Sequence, residues 1–144
     1  MSSRIERDTL YMSIASLISK RGTCLRAEVG CIAVSDGRII ANGYVGSLPR
    51  DPHCLDVGCQ IGDDEGCSRT VHAEANMIAF SAKHGLSLNL CDVYSTHSPC
   101  PTCAKLLVSC GIFSITYSSK YRIEEGITIL EDAGVEVNEY GSKA

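Results

Sequence analysis

Two short motifs constrain this chain more than anything else in it: His72-Ala73-Glu74 and, further on, Cys100-Pro101-Thr102-Cys103. One imidazole and two thiols make three ligands for a zinc ion, and Glu74 adds a carboxylate beside them. Structural zinc sites are closed by four protein ligands, whereas catalytic sites keep one position open for water or substrate. Three ligands with a neighbouring carboxylate therefore point to hydrolytic chemistry. Each motif alone has a plainer reading: a His-x-Glu is commonly a helix surface, and a Cys-x-x-Cys a redox pair or half of a structural zinc site.

The spacing predicts a helix at each motif. Residues 72–84 contain no Gly or Pro, place Ala75, Ile78, Ala79 and Ala82 on one helical face, and meet a stop at Gly85. Pro101 suits the first position of a second helix ending before Gly111. His72, Cys100 and Cys103 then all sit at helix starts, where the partial positive charge favours thiolates and a bound hydroxide.

The rest of the chain frames these helices. Residues 4–20 read as an amphipathic helix with a stripe of Ile5, Leu10, Ile14, Leu17 and Ile18 behind Ser2-Ser3 caps. Val29–Val34 and Arg38–Gly43 read as a hairpin around Asp36-Gly37. Residues 46–70 are rich in Gly, Pro and Asp and read as a long loop, a length that implies a function or something that pins it. Strands follow at 91–96, 112–117 and 135–140, with an amphipathic helix at 123–133 carrying Ile123, Ile127 and Leu130 inward. This alternation predicts an α/β fold, one domain over 1–144: a three-layer α/β/α sandwich on a central mixed five-stranded sheet.

Charge and composition exclude several classes. A net charge of −4 without a basic run disfavours a polynucleotide ligand. No segment is apolar enough to span a bilayer, and the first residues, with Arg4, Glu6, Arg7 and Asp8, lack a signal-peptide core. Nine cysteines in such a chain suggest metal ligands or reduced thiols in a cytoplasmic compartment rather than a disulfide framework. Cys31, Cys91 and Cys110 fall in strand or helix patterns and read as small buried apolar residues.

The run from Arg69 to Asn76, together with Ser95 to Ala104, resembles the cytidine deaminase superfamily, whose zinc sites carry H-x-E and P-C-x-x-C. More narrowly the chain is similar to the deoxycytidylate (dCMP) deaminases of bacteria and phages. Val29-Gly30, Asn42-Gly43-Tyr44, Tyr121-Arg122 and the cysteine-rich loop His53-Cys54, Gly58-Cys59 and Cys67 extend the likeness over nearly the whole chain. The resemblance implies zinc held by His72, Cys100 and Cys103, with Glu74 as the proton shuttle. It implies hydrolysis of dCMP to dUMP and ammonia, feeding dTMP synthesis, with a small nucleotide rather than a polynucleotide as substrate. It further implies a homo-hexamer, activation by dCTP with Mg²⁺, inhibition by dTTP, and a cytoplasmic location (host cytoplasm for a phage protein).

Backbone groups around Ala73 and Ser98 would orient the pyrimidine edge. A substrate phosphate needs cations, for which Arg122 and Arg26 are the candidates, with Tyr121 stacking or touching the phosphate. His97 would shape the pocket wall. The family usually carries Gly-Tyr-Asn-Gly where this chain has Gly43-Tyr44-Val45-Gly46, and that Asn contacts the sugar. Valine can neither donate nor accept a hydrogen bond, so Asn42 or a water would substitute, or the preferred sugar or base differs. Some members carry a second, structural zinc; Cys24, Cys54, Cys59 and Cys67 are its candidate ligands here, with His53 as a replacement, and free thiols are the plainer reading. The competing functional readings are deamination of another free cytosine nucleoside, nucleotide or base, and a non-catalytic zinc-binding interaction module.

Overall fold

In a computed structural model that describes residues 3–61 and 67–141, the chain runs α1 (Arg7–Ser19), β1 (Gly30–Ser35), β2 (Arg38–Tyr44), β3 (Gly46–Ser47), α2 (Cys54–Val57), β4 (Thr70–Val71), α3 (Ala73–His84), β5 (Asp92–His97), α4 (Pro101–Cys110), β6 (Ser114–Ser119), α5 (Glu125–Asp132) and β7 (Glu136–Glu139). Five strands form one mixed sheet in the order β2-β1-β5-β6-β7. β1 is antiparallel to both β2 and β5, whereas β5, β6 and β7 are mutually parallel. A small antiparallel pair, β3 with β4, fastens the two ends of the 46–70 segment together.

Strand alternation divides the core into two layers. Cys31 and Ala33 of β1, Val93 of β5 and Ile115 of β6 face α3, α4 and α5, where Met77, Leu107 and Leu130 complete the larger cluster. Ile32, Val34 and Tyr94 face the other way, against Tyr11 and Met12 of α1. Helices therefore cover both faces of the sheet. The hairpin turn is the expected one, with Asp36 and Gly37 both at positive φ (52° and 72°), as a two-residue primed turn requires.

Two glycines bring elements closer than any side chain would permit. A methyl group on Gly43 of β2 would collide with the Ala73 carbonyl oxygen, and one on Gly126 of α5 with the Pro99 carbonyl oxygen. The first sets α3 down on the sheet beside His72, and the second seats α5 against the Cys100 segment.

Several expectations need correction. α1 begins at Arg7 with Glu6 as its N-cap; Ser3 is no cap, and Ser2 lies outside the described residues. Its buried side is Tyr11, Met12, Ala15 and Ser19, while Ile5 and Leu17 point outward. α3 likewise buries Ala73, Glu74, Met77 and Ser81, with Ala79 and Ala82 exposed. Leu10, Ile14 and Ile18 of the expected α1 stripe, and Ile78 of α3, do pack at the edges of the core, so the expected faces are partly right and rotated toward the sheet contact. Ile123 precedes α5 and is exposed, while Gly126 and Leu130 form that helix's buried side. The 46–70 segment is a loop interrupted by β3, α2 and β4 rather than wholly irregular.

Candidate active site

The site forms where the antiparallel and parallel halves of the sheet meet. β5 and β6 end there side by side, with His97 opposite Ser119. Crevices at the carboxyl ends of strands, beside such a switch in direction, are the usual ligand sites of α/β sheets. α3 and α4 both start at this edge. His72 is the N-cap of α3 and Cys100 the N-cap of α4, with Pro101 at the start of α4.

His72, Cys100 and Cys103 converge. Nδ1 of His72 lies 3.4 Å from Cys100 Sγ and 3.5 Å from Cys103 Sγ, and all three ligand atoms lie within 4.8 Å of one another. Metal–ligand bonds of about 2.3 Å to sulfur and about 2.1 Å to nitrogen, at tetrahedral angles, place S and N about 3.6 Å apart. The three side chains therefore fit a zinc ion, and among the described residues no fourth protein ligand stands in the group. Cys103 N–H donates to Cys100 Sγ at 3.4 Å. Cys100 is drawn down to about 4, first by the hydrogen bond from the Cys103 thiol and then by His72. Cys103 is correspondingly pushed up, first by that same bond and then by burial. A thiolate next to an imidazole at a helix start is the electrostatic setting of a metal ligand.

Glu74, in the first turn of α3, is 3% exposed. Burial raises its pKa, against the lowering influence of its own backbone N–H and of His72. A carboxyl group raised in this way holds and releases a proton more readily near neutral pH than an exposed one does.

A cavity of about 280 Å³ opens on these groups. His72, Ala73, Glu74 and Cys100 line one part of its wall, Val29 and Val45 make it apolar, and Arg26, Lys120 and Arg122 carry its positive charge. Ser98 and Tyr121 also line it, held together by a 2.8 Å bond from Tyr121 N–H to Ser98 Oγ. The Arg122 guanidinium stands 5.3 Å from the Tyr121 ring centroid.

His97 is a wall residue, as expected. Its Nδ1 lies 2.9 Å from Thr96 Oγ1, which accepts the Gly30 N–H at 3.2 Å. The buried Thr96 hydroxyl needs an acceptor, and Nδ1 supplies it. His97 is thereby assigned as the Nε2–H tautomer, and burial lowers its pKa.

The structure gathers most of the residues singled out from the sequence: Arg26, His72, Ala73, Glu74, Ser98, Cys100, Tyr121 and Arg122 line the cavity, and Cys103 completes the ligand group. Asn42 is not among them. It pairs with Ile32, on the sheet face that α1 covers, and is exposed. Val45 is in the wall, with its N–H donating to Val29 O and its carbonyl accepting from Thr23 N–H. Lys120 was missed, although its place at the end of β6, directly before Tyr121-Arg122, was the available signal.

Cys54, Cys59 and Cys67 form a second group with sulfurs within 4.8 Å of one another. Neither Cys24 nor His53 belongs to it. Cys24 lines the cavity, where its Sγ accepts the Arg26 N–H at 3.3 Å. Burial opposes ionisation of Cys67, yet the N–H groups of Gln60 and Arg69 outweigh it and bring the thiol to about 6. Cys54 is pushed up to about 12 by burial and by its 3.7 Å contact with Cys67.

The pattern of the cytidine and deoxycytidylate deaminase zinc-binding region matches residues 5–119. The chain belongs to that family. It is 38% identical to ComE operon protein 2 of Bacillus subtilis over 137 residues, covering 94% of this chain and 72% of that protein. It is 33% identical to the deoxycytidylate deaminase of Saccharomyces cerevisiae, covering 92% of this chain and 44% of the yeast protein, so it spans less than half of that relative. Among solved structures, the dCMP deaminase of cyanophage S-TIM5 in complex with dCMP and dUMP superposes with a TM-score of 0.84 at 33% identity, covering 96% of this chain and 99% of that one. The cytidine deaminase-like fold and a hydrolytic deaminase activity follow from this membership. A non-catalytic zinc module does not fit it.

Proposed function

We propose that this chain hydrolyses dCMP to dUMP and ammonia. The observation that carries the reading is a buried carboxylate, Glu74, beside a three-ligand His-Cys-Cys group in a cavity that also holds Arg26, Lys120 and Arg122. A cyanophage relative that superposes over nearly its full length binds both dCMP and dUMP.

In this reading His72, Cys100 and Cys103 hold zinc. Bound there, zinc would acidify a water and so supply the nucleophile. Glu74 takes a proton from the attacking water and delivers it to N3 of the cytosine ring while C4 becomes tetrahedral. It then takes the proton of the new C4 hydroxyl and passes it to the amine, so that the C4 carbonyl forms as the C–N bond breaks and ammonia leaves. Backbone groups near Ala73 and Ser98 orient the pyrimidine, Tyr121 packs on the nucleotide, and Arg26 and Arg122 balance its phosphate. Low-dielectric walls such as Val29 and Val45 exclude water and strengthen these contacts.

Val45 bears on a second reading. Its apolar side chain offers the sugar nothing to bond, and Asn42 lies on the sheet face that α1 covers rather than in the cavity wall. Another free cytosine nucleoside or nucleotide is therefore the competing substrate. Further parts of the proposal are a second zinc at Cys54, Cys59 and Cys67, with the adjacent His53 turning in as the fourth ligand that a structural site needs, a hexameric assembly, activation by dCTP with Mg²⁺, inhibition by dTTP, supply of dUMP for dTMP synthesis, and a place in the cytoplasm (of the host for a phage protein). Among the described residues no helix is long and apolar enough to cross a membrane. The test offers dCMP, dCTP, deoxycytidine and adenosine separately, with and without dCTP–Mg²⁺, and follows loss of the amino-pyrimidine absorbance. The expected outcome is turnover of dCMP above all others; equal or faster turnover of deoxycytidine would reject the assignment.

A further inference from the structure

Lys120 lines the cavity, yet it does not enter it as a bare cation. Its Nζ lies 3.1 Å from Glu124 Oε1, one helical turn ahead in sequence. Glu124 is the N-cap of α5, but its side chain makes no capping bond to that helix. The carboxylate is thus committed to Lys120 rather than to the helix it precedes. Glu139, on the neighbouring strand β7, adds a second negative field on the same ammonium. Glu125 follows Glu124 and is exposed, so two carboxylates lie consecutively in sequence where the chain leaves the cation-bearing wall. Arg26 and Arg122 are the other cations of that wall.

Resting on the nucleotide reading above, we propose that the Lys120–Glu124 pair gauges charge at the phosphate end of the cavity: Lys120 engages one phosphate group, and Glu124 turns away longer phosphate chains. A single phosphate can share the ammonium, which has three donors, without displacing Glu124. A second phosphate adds charge beside Glu124 and is repelled, because like charges a few ångströms apart at a protein surface oppose each other. The chain then discriminates against nucleoside di- and triphosphates by repulsion from a carboxylate.

Two variants test this in the zinc-loaded enzyme, with dCMP, dCDP and deoxycytidine as probes. Lys120→Met raises KM for dCMP about tenfold, the effect of one lost charge-assisted hydrogen bond, while KM for deoxycytidine does not follow. Equal rises for both would remove Lys120 from the phosphate end. Glu124→Gln keeps the side chain's shape and raises kcat/KM for dCDP relative to dCMP about two- to five-fold, the range of an exposed charge pair. An unchanged dCDP/dCMP ratio in Glu124→Gln would overturn the gauge even if dCMP remains the preferred substrate. Failure of the unmodified enzyme to turn over dCMP at all would instead overturn the nucleotide reading itself. Both side chains are at least half exposed, which keeps either variant foldable.

Discussion

Glu74 is an ionisable side chain at 3% exposure, and burial raises its pKa despite the opposing influence of its own backbone N–H and of His72, an arrangement that costs stability unless something else uses it. Proton transfer in the active site is that use. Glu74→Gln keeps the volume and burial of the side chain but cannot take up and release a proton. The variant is expected to bind zinc as the parent does and to lose about 10²- to 10⁴-fold in kcat. Metal content measured beside turnover decides the matter: near-normal turnover would remove Glu74 from the chemistry, and loss of zinc together with activity would make it a supporter of the ligands. Two other residues show where single-residue reading stopped short. Asn42 lies one residue from Gly43, which touches α3, and alternation along β2 turns it to the opposite face. Lys120 carries no motif of its own, and only the parallel pairing of β5 with β6 brings the end of that strand beside His97.

The elements divide by what specified them. α3 and α4 are bounded by Gly85 and Gly111, both in the left-handed conformation, and these ends were legible because glycine alone adopts that geometry cheaply. The inner face of α1 was legible only in part: Leu10, Ile14 and Ile18 pack on the core as expected. Ile5 and Leu17 look apolar enough to be buried, but the sheet beneath α1 presents Tyr94, and the contact goes to Tyr11, whose ring centroid lies 5.1 Å from that of Tyr94. The Tyr94 hydroxyl donates to Asp8 at 2.8 Å, clamping the first turn of α1 to β5. Burial, then the Asp8 bond, raise the Tyr94 pKa above its ordinary value. A group whose pKa is raised on folding contributes stability in full below its unfolded value and loses it as pH climbs beyond. Stability is therefore expected to fall above about pH 10, where unfolded tyrosine ionises. Tyr94→Phe should flatten that alkaline slope in melting experiments, at the cost of one hydrogen bond at neutral pH. An unchanged slope in the variant would assign the alkaline loss to other groups.

For the whole molecule, the open question is what holds the segment between β2 and α3. That segment supplies Cys67 and Thr70 to the cavity and leads straight into His72, yet few apolar residues of it are buried; Leu48, Leu55, Val57 and Ile61 are all more than half exposed. Hydrophobic burial cannot position it. β3 with β4 ties its ends, the Leu55 N–H donates to Thr23 O, and the three sulfurs of Cys54, Cys59 and Cys67 draw its middle together. A metal at those sulfurs would replace the missing core, as structural zinc does in small domains. The sequence pointed to this group because its cysteines crowd a loop with nothing else to fold around, but spacing could not place Cys24, which only the folded chain separates from the other three. Purified protein is accordingly expected to hold two zinc ions per chain. Cys59→Ser should reduce the count to one and lower Tm, and it should weaken dCMP turnover less than Cys103→Ser, which removes a ligand of the catalytic group. One zinc in the unmodified protein would reject the second site. Two zinc ions in Cys59→Ser would reject Cys59 as a ligand of the second metal.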